Sequence, residues 1–109
     1  MGYVKVADTT ELPAGMMIKV NVGGNDVLLA NVNSSYYAID NTCTHLGGSL
    51  VDGTLEGKVV TCPRHGSKFD VTTGKAVGKA KIAFIKVMPK DEKSYAVKVE
   101  GMDIMLETG

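Results

Sequence analysis

The only two cysteines and the only two histidines of the chain fall into two short motifs. The first, of the form C-x-H, contains Cys43 and His45, and the second, of the form C-x-x-H, contains Cys62 and His65. Thiolates and imidazoles are the side chains that bind transition metals and iron–sulfur clusters, and each motif supplies one of each. The pattern therefore predicts that two loops close around one metal centre.

A structural zinc ion is the main alternative, because tetrahedral sites of two cysteines and two histidines are common. Zinc modules usually offer two cysteines and then two histidines, whereas each motif here mixes the two types. A disulfide between Cys43 and Cys62 is a further possibility, but it would leave both histidines unexplained. The mixed spacing favours a [2Fe-2S] cluster with two thiolate and two imidazole ligands.

This ligand set also predicts redox behaviour. An oxidised cluster with four thiolates carries two negative charges, whereas two neutral imidazoles in place of two thiolates make it neutral. Because a neutral centre accepts an electron more readily, the mixed set gives potentials of about −150 to +300 mV, against about −400 mV for plant-type clusters.

Further residues accompany the four ligands: Leu46-Gly47 after the first histidine, Pro63 in the second motif, and Gly-Ser-Lys-Phe-Asp over 66–70. On these residues the chain resembles soluble, low-potential Rieske-type [2Fe-2S] ferredoxins of the kind that serve oxygenases. The resemblance implies one cluster per chain, near the surface. It also implies that the two cysteines bind one iron and the two histidines bind the other.

The resemblance extends to residues around the cluster. In high-potential Rieske proteins the positions of Ser67 and Phe69 carry a serine and a tyrosine whose hydroxyls point at the cluster, and cysteines at the positions of Gly48 and Arg64 form a disulfide. This chain keeps only the serine hydroxyl. Because hydrogen bonds to the cluster stabilise its more negative reduced state, we expect a potential low in the Rieske range. An alternative role for Ser67 is to cap the turn after His65.

A third loop, rich in proline, usually covers the cluster in this family. The stretch 77–84 has no proline. We therefore expect either a looser cover or apolar shielding by Ile82 and Phe84 there.

Short apolar stretches separated by turn residues predict an all-β fold with many strands. We expect one Rieske domain over 1–109, an antiparallel β-sandwich in which 1–40 and 81–109 form the base and 41–80 form a small cluster-binding subdomain with the two ligand loops. The predicted strands cover 17–22, 26–30, 36–39, 54–61, 68–71, 75–77, 82–88, 95–99 and 103–106. The first two flank Gly23-Gly24-Asn25 and are expected to form a hairpin, since glycine accepts the positive φ of a tight turn.

The composition of the chain argues against several classes of function. The 12 basic and 12 acidic residues balance, so no nucleic-acid partner is expected. The N-terminal residues contain no long apolar run, so we expect a cytoplasmic monomer without a membrane anchor. A mononuclear oxygenase iron would need further histidines, and both are already used, so the chain is not expected to be an enzyme.

These observations predict a soluble one-electron carrier. It would accept electrons from a reductase, such as an NADH-dependent flavoprotein, and pass them to a terminal oxygenase or another redox enzyme. Three alternatives stay open: a redox-sensing module, a zinc-stabilised interaction module, and a Rieske-like small subunit of a reductase.

Overall fold

The computed structural model describes residues 2–44, 48–64, 66–78, 80–82, 85–87 and 89–108. Within these residues the chain forms strands and two 3-10 turns, Thr9–Glu11 and Leu50–Asp52, and no helix there could span a membrane. The strands are β1 Gly2–Asp8, β2 Met17–Val22, β3 Asn25–Val32, β4 Ser35–Asp40, β5 Thr54–Glu56, β6 Val59–Thr61, β7 Lys68–Asp70, β8 Ala76–Gly78, β9 Ala80–Ile82, β10 Ile85–Val87, β11 Ser94–Tyr95, β12 Val97–Glu100 and β13 Asp103–Thr108.

All described strand pairs are antiparallel, as predicted. One sheet has the order β1-β13-β12, a second has β11-β4-β3-β2, and a third has β5-β6-β7-β8, while β9 pairs with β10. Tight turns connect neighbours in the second sheet. Gly23 and Gly24 join β2 to β3 with φ of +59° and +87°, and Asn33 and Ser34 join β3 to β4 with φ of +53° and +70°. Two-residue hairpins with positive φ match the twist of the strands, which explains these sequences.

The second sheet separates two hydrophobic cores, because β3 is buried on both faces. Val27 and Leu29 point into the core shared with the first sheet, and Leu28 and Ala30 point into the core on the other side. The first core contains Ala7, Leu12, Val27, Leu29, Ala38, Ile104 and Leu106. The second contains Leu28, Ala30, Ile39, Cys43, Leu50, Val60, Cys62, Phe69 and Val71. Both cysteines therefore belong to one core, between the second and third sheets.

The all-β prediction is confirmed, including the hairpin of β2 and β3, but the single strand expected over 95–99 is wrong. The chain leaves β4 after Tyr95 and pairs with β13 from Val97, so β11 and β12 belong to different sheets. At the corner, the Ala96 carbonyl accepts from Glu107 N at 2.9 Å. The alternation of apolar and polar residues is the same whether a stretch forms one strand or passes from one sheet to another. The sequence pattern therefore does not predict the break at Ala96. The described parts of 82–88 likewise belong to the β9–β10 hairpin.

Candidate metal centre

The first ligand loop leaves the end of β4 and returns at Gly48. Cys43 donates its backbone N–H to the Gly48 carbonyl at 2.6 Å, and Thr42 pairs with Ser49 in an antiparallel bridge. Below them, the Asn41 side chain donates to Ser49 Oγ at 2.9 Å. These bonds hold Cys43 in the core, where it is 2% exposed.

The second ligand loop connects β6 to β7 and closes on itself. Cys62 donates its N–H to the Ser67 carbonyl at 2.7 Å, and Gly66 donates to the Cys62 carbonyl at 3.2 Å. Gly66 has a φ of +78°, a conformation that residues with a Cβ rarely adopt. The tight turn buries Cys62, which is also 2% exposed.

The two loops touch at Gly48. A Cβ on this glycine would lie 2.8 Å from Cys62 Sγ and 2.9 Å from Arg64 Cδ, which is closer than real Cβ contacts. Only glycine therefore lets the first loop approach the sulfur of the second. Gly48 and Arg64 are neighbours here, as the resemblance to disulfide-tied Rieske proteins implies, but their contact is between backbone and the arginine stem.

Ser67 and Phe69 lie behind the second loop. Phe69 is fully buried in the core that contains both cysteines. Ser67 is 1% exposed, and its Oγ has no hydrogen-bond partner among the residues that the structure describes. A buried hydroxyl without a partner costs about 1–3 kcal/mol, so such a group usually faces a ligand or water.

The first loop has a second set of contacts, which the sequence did not reveal. Thr44 donates its N–H to Glu92 Oε2 at 2.9 Å and its hydroxyl to the Lys90 carbonyl at 2.6 Å. Thr44 and Glu92 are 48 residues apart in the chain. The segment that packs beside this loop therefore lies just after Pro89, outside the 77–84 stretch where we expected the third loop. The side chains of Ile82 and Phe84, which we expected to shield the cluster, lie outside the described residues.

Acidic groups cluster behind the first loop. Burial raises the pKa of Glu92 to about 7; the hydrogen bond from Thr44 opposes this rise and the charge of Asp40 adds to it. Burial also raises the pKa of Tyr95, whose hydroxyl donates to Asp40 Oδ1. A proton on Glu92 is thus favoured in a site that already contains the Asp40 carboxylate.

Asp70, at the end of β7, shows the opposite behaviour. Burial favours its neutral form, but hydrogen bonds from the Thr72 hydroxyl and N–H and from Lys58 outweigh burial and lower its pKa. Lys58 Nζ lies 3.3 Å from Asp70 Oδ2. The Asp70 carboxylate therefore fixes the turn between β7 and β8 in its ionised form.

Of the four predicted ligands, the structure describes the cysteines and brings them together without a disulfide. His45 and His65 lie outside the described residues.

The sequence profile of the Rieske [2Fe-2S] domain matches residues 2–89. The chain belongs to the Rieske [2Fe-2S] family. The prediction of one [2Fe-2S] cluster per chain is confirmed.

Three similar proteins match this chain over at least nine-tenths of their own length. The ferredoxin component of the naphthalene 1,2-dioxygenase/salicylate 5-hydroxylase systems of Ralstonia sp. is 38% identical over 105 residues, which cover 96% of this chain and 94% of the relative. The solved ferredoxin of carbazole 1,9a-dioxygenase from Nocardioides aromaticivorans IC177 is 30% identical, with full coverage of both chains and a TM-score of 0.84. A solved complex of reduced oxygenase and oxidised ferredoxin in carbazole 1,9a-dioxygenase gives 30% identity, 95% and 91% coverage and a TM-score of 0.80. The predictions of a Rieske-type ferredoxin and of an electron-transfer role are confirmed by these similarities.

The residues present fit a Rieske cluster. Two cysteine thiols share one core without forming a disulfide, and Gly48 leaves the space beside Cys62 Sγ clear of a side chain. The Ser67 hydroxyl, which has no partner within the described part of the chain, is a buried donor in the turn that carries Cys62. Thiolates and a nearby donor are what an iron–sulfur cluster requires from the chain.

Proposed function

We propose that Cys43, His45, Cys62 and His65 are the four cluster ligands. The common core of the two cysteines supports this assignment, since it is the observation that brings the two motifs to one place. The spacing of the motifs supports the two histidines, each of which follows its cysteine within three residues. In this arrangement the cysteines bind one iron and the histidines bind the other.

The bound cluster would supply a one-electron redox couple, and the chain would hold and tune it. Ser67 Oγ would donate a hydrogen bond toward the cluster sulfur, and Phe69 would keep the surroundings apolar without adding a second donor. A single hydroxyl donor supports a potential in the low part of the Rieske range. Two loops held by short backbone hydrogen bonds would change little between the two redox states.

We propose that the acceptor is a terminal oxygenase and the donor an NADH-dependent flavoprotein reductase. The similarity to ferredoxin components of dioxygenase systems, and to the ferredoxin in the carbazole 1,9a-dioxygenase complex, supports the oxygenase. NADH donates two electrons together, whereas the carrier accepts one at a time. A flavin can accept both electrons and release them singly, which supports a flavoprotein reductase as the donor.

We also propose the division into a base, 1–40 and 81–109, and a cluster-binding subdomain, 41–80, in a monomer that works in the cytoplasm. The composition of the sheets supports the division, because the first two sheets draw strands from both ends of the chain and the third only from 54–78. Cysteines that are not joined in a disulfide suit a reducing compartment.

Stopped-flow absorbance tests this function. The oxidised holoprotein is mixed with NADH and a catalytic amount of a flavoprotein reductase, and the reduced product is then mixed with the terminal oxygenase of an aromatic-ring dioxygenase system. We expect bleaching in the first step and recovery of the visible absorbance in the second. Reduction without any transfer to the oxygenase would contradict the proposed acceptor.

A further inference from the structure

The segment Lys90–Lys93, named here the bridging segment, contacts three parts of the molecule. Its Lys90 carbonyl accepts from the Thr44 hydroxyl of the first ligand loop at 2.6 Å. Its Lys93 carbonyl accepts from the N–H of Asp40, at the end of β4, at 2.9 Å. The Asp91 carboxylate accepts from the N–H of Ala76 in β8 at 2.8 Å. The bridging segment therefore lies between the first loop and the hairpin that follows the second loop.

Glu92 contacts both sides of this junction. Its Oε2 accepts from the N–H of Thr44 at 2.9 Å, and its own N–H donates to the Gly74 carbonyl, in the turn between β7 and β8, at 2.7 Å. Among the described residues of the bridging segment, only Glu92 has hydrogen bonds both to the first ligand loop and to the turn between β7 and β8. It is 5% exposed, and no ion pair with it is found among the described residues, which is rare for a glutamate.

The β7–β8 hairpin is itself continuous with the second ligand loop. β7 begins at Lys68, directly after Ser67, whose carbonyl holds the N–H of Cys62 at 2.7 Å. A path of backbone and side-chain contacts thus runs from Thr44 through Glu92 and Gly74 to the strand behind Cys62. In high-potential Rieske proteins a disulfide ties the two loops, and this chain has glycine and arginine at those positions.

We propose that Glu92 is a positioning residue that fixes the first ligand loop relative to the second by accepting a hydrogen bond from Thr44 N–H. The buried carboxyl occupies a place that an apolar side chain would fill at less desolvation cost, so its presence is explained by the hydrogen bond that it accepts. It does not touch the cluster in this account and acts through the backbone of Thr44. The inference rests on the ligand set proposed above.

The test compares two substitutions of similar size. Glu92→Gln keeps an oxygen acceptor for Thr44 N–H, and Glu92→Leu removes it. Glu107→Leu is the matched control, because Glu107 is exposed on β13, in the base. Holoproteins are incubated at pH 6 with an excess of an iron chelator under anaerobic conditions. The rate of iron release and the EPR spectrum after reduction are measured, with far-UV circular dichroism as the check on the fold.

We expect Glu92→Leu to release iron about tenfold faster than wild type, the effect of one lost hydrogen bond of ~1.4 kcal/mol, and to shift the EPR g values. Glu92→Gln should stay within about twofold of wild type, with an unchanged spectrum, because its amide oxygen preserves the hydrogen bond. Glu107→Leu should match wild type. Equal rates for Glu92→Leu and Glu107→Leu would overturn the proposal, as would a Glu92→Gln variant as fast as Glu92→Leu.

A second variant covers the case in which Glu92→Leu yields no holoprotein. Thr44→Val removes the hydroxyl bond to the Lys90 carbonyl and leaves the bond from Thr44 N–H to Glu92. Because Thr44→Val keeps the hydrogen bond to Glu92, the proposal then requires that Thr44→Val and Glu92→Gln both assemble a cluster while Glu92→Leu does not. If Glu92→Gln also fails to assemble, the proposal is wrong. Wild-type protein with zinc and no labile sulfide would instead refute the ligand set.

Discussion

The two ligand loops are held in different ways. The second loop is closed by its own residues, with Cys62 bonded to Ser67 and Gly66 in the conformation that completes the turn. The first loop closes through Cys43 and Gly48 and also depends on the bridging segment. One loop is therefore a local structure, while the other is stabilised by a part of the chain almost half its length away.

This difference has a consequence for how the centre responds to change. Substitutions that disturb the bridging segment should loosen the first loop and with it the cluster. Substitutions near the second loop should leave the cluster in place and alter its potential or its access to partners. The four predictions below test this separation, from the largest expected effect to the smallest.

Gly74→Ala should destabilise the protein most. Gly74 has a φ of +82°, and a Cβ there would collide with the Glu92 carbonyl, a backbone atom that cannot move without displacing the bridging segment. We expect a loss of about 3 kcal/mol or more in the free energy of unfolding. Gly66→Ala is the control, since Gly66 has a similar φ of +78° and no atom of the described residues lies within 4 Å of the added Cβ. It should cost only about 1–2 kcal/mol. The urea midpoint of each variant is measured from the loss of visible absorbance. Equal midpoints for the two variants would contradict a stabilising role of the bridging segment.

Stability should respond to the ionisation of Glu92, which accepts a hydrogen bond from Thr44 and interacts electrostatically with Asp40 and Tyr95. Burial raises the pKa of Glu92 from 4.5 to about 7. The folded protein therefore retains a proton that the unfolded chain releases, and its stabilising contribution is full below pH 4.5 and is lost as the pH rises to about 7. Glu92→Gln cannot ionise, so it should gain on the order of 2 kcal/mol relative to wild type between pH 5 and pH 8. Urea midpoints for loss of the visible absorbance measure this difference, and parallel pH profiles would contradict it.

Ser67→Ala should lower the reduction potential by roughly 60 mV without speeding iron release, because it removes one donor to the reduced cluster. Ser49→Ala in the first loop is the matched control. The Ser49 hydroxyl accepts from the Asn41 side chain, so its loss should weaken the loop and leave the potential unchanged. Spectroelectrochemical titration measures both values. An unchanged potential in Ser67→Ala would contradict a hydrogen bond from the Ser67 hydroxyl to the cluster.

Charge around the second loop should affect partner encounter and little else. Arg64 and Lys68 are exposed on either side of Gly66. Complementary charge raises the encounter rate of transient redox partners, so Arg64→Glu or Lys68→Glu should slow reduction by the reductase about three- to tenfold at low salt. Salt screens such contacts, and the difference should shrink as ionic strength rises. Lys19→Glu on β2 is the control. Wild-type rates for both loop variants would place docking elsewhere.

The sequence predicted the second loop better than the first. Its proposed ligands, its glycine and its serine are neighbours in the chain, so one short stretch of sequence contains the residues of the turn. The support of the first loop by Glu92 could not be predicted, because no periodic pattern links Thr44 to a residue 48 positions away. The nearest sequence signal was Pro89, a proline just before the bridging segment, which would have pointed to a covering loop there.

The fold shows the same division between local and distant information. The hairpins around Gly23 and Asn33 follow from turn residues and flanking apolar runs, and the structure confirms the β2–β3 pair. The first strand, Gly2–Asp8, was missed because most of its residues are exposed or half-buried and it is defined by pairing with β13 at the other end of the chain. The break at Ala96 was missed because it depends on tertiary pairing: the residues before Ala96 pair with β4 and those after it pair with β13.

Metal and sulfide analysis of anaerobically purified protein, with EPR after reduction, tests the central claim most directly. Four ligands from two mixed loops should bind one [2Fe-2S] cluster, so we expect two irons and two acid-labile sulfides per chain, with broad visible absorption. The reduced protein should give an EPR signal with an average g value below 2. Stoichiometric zinc without labile sulfide, and no EPR signal after reduction, would contradict the account.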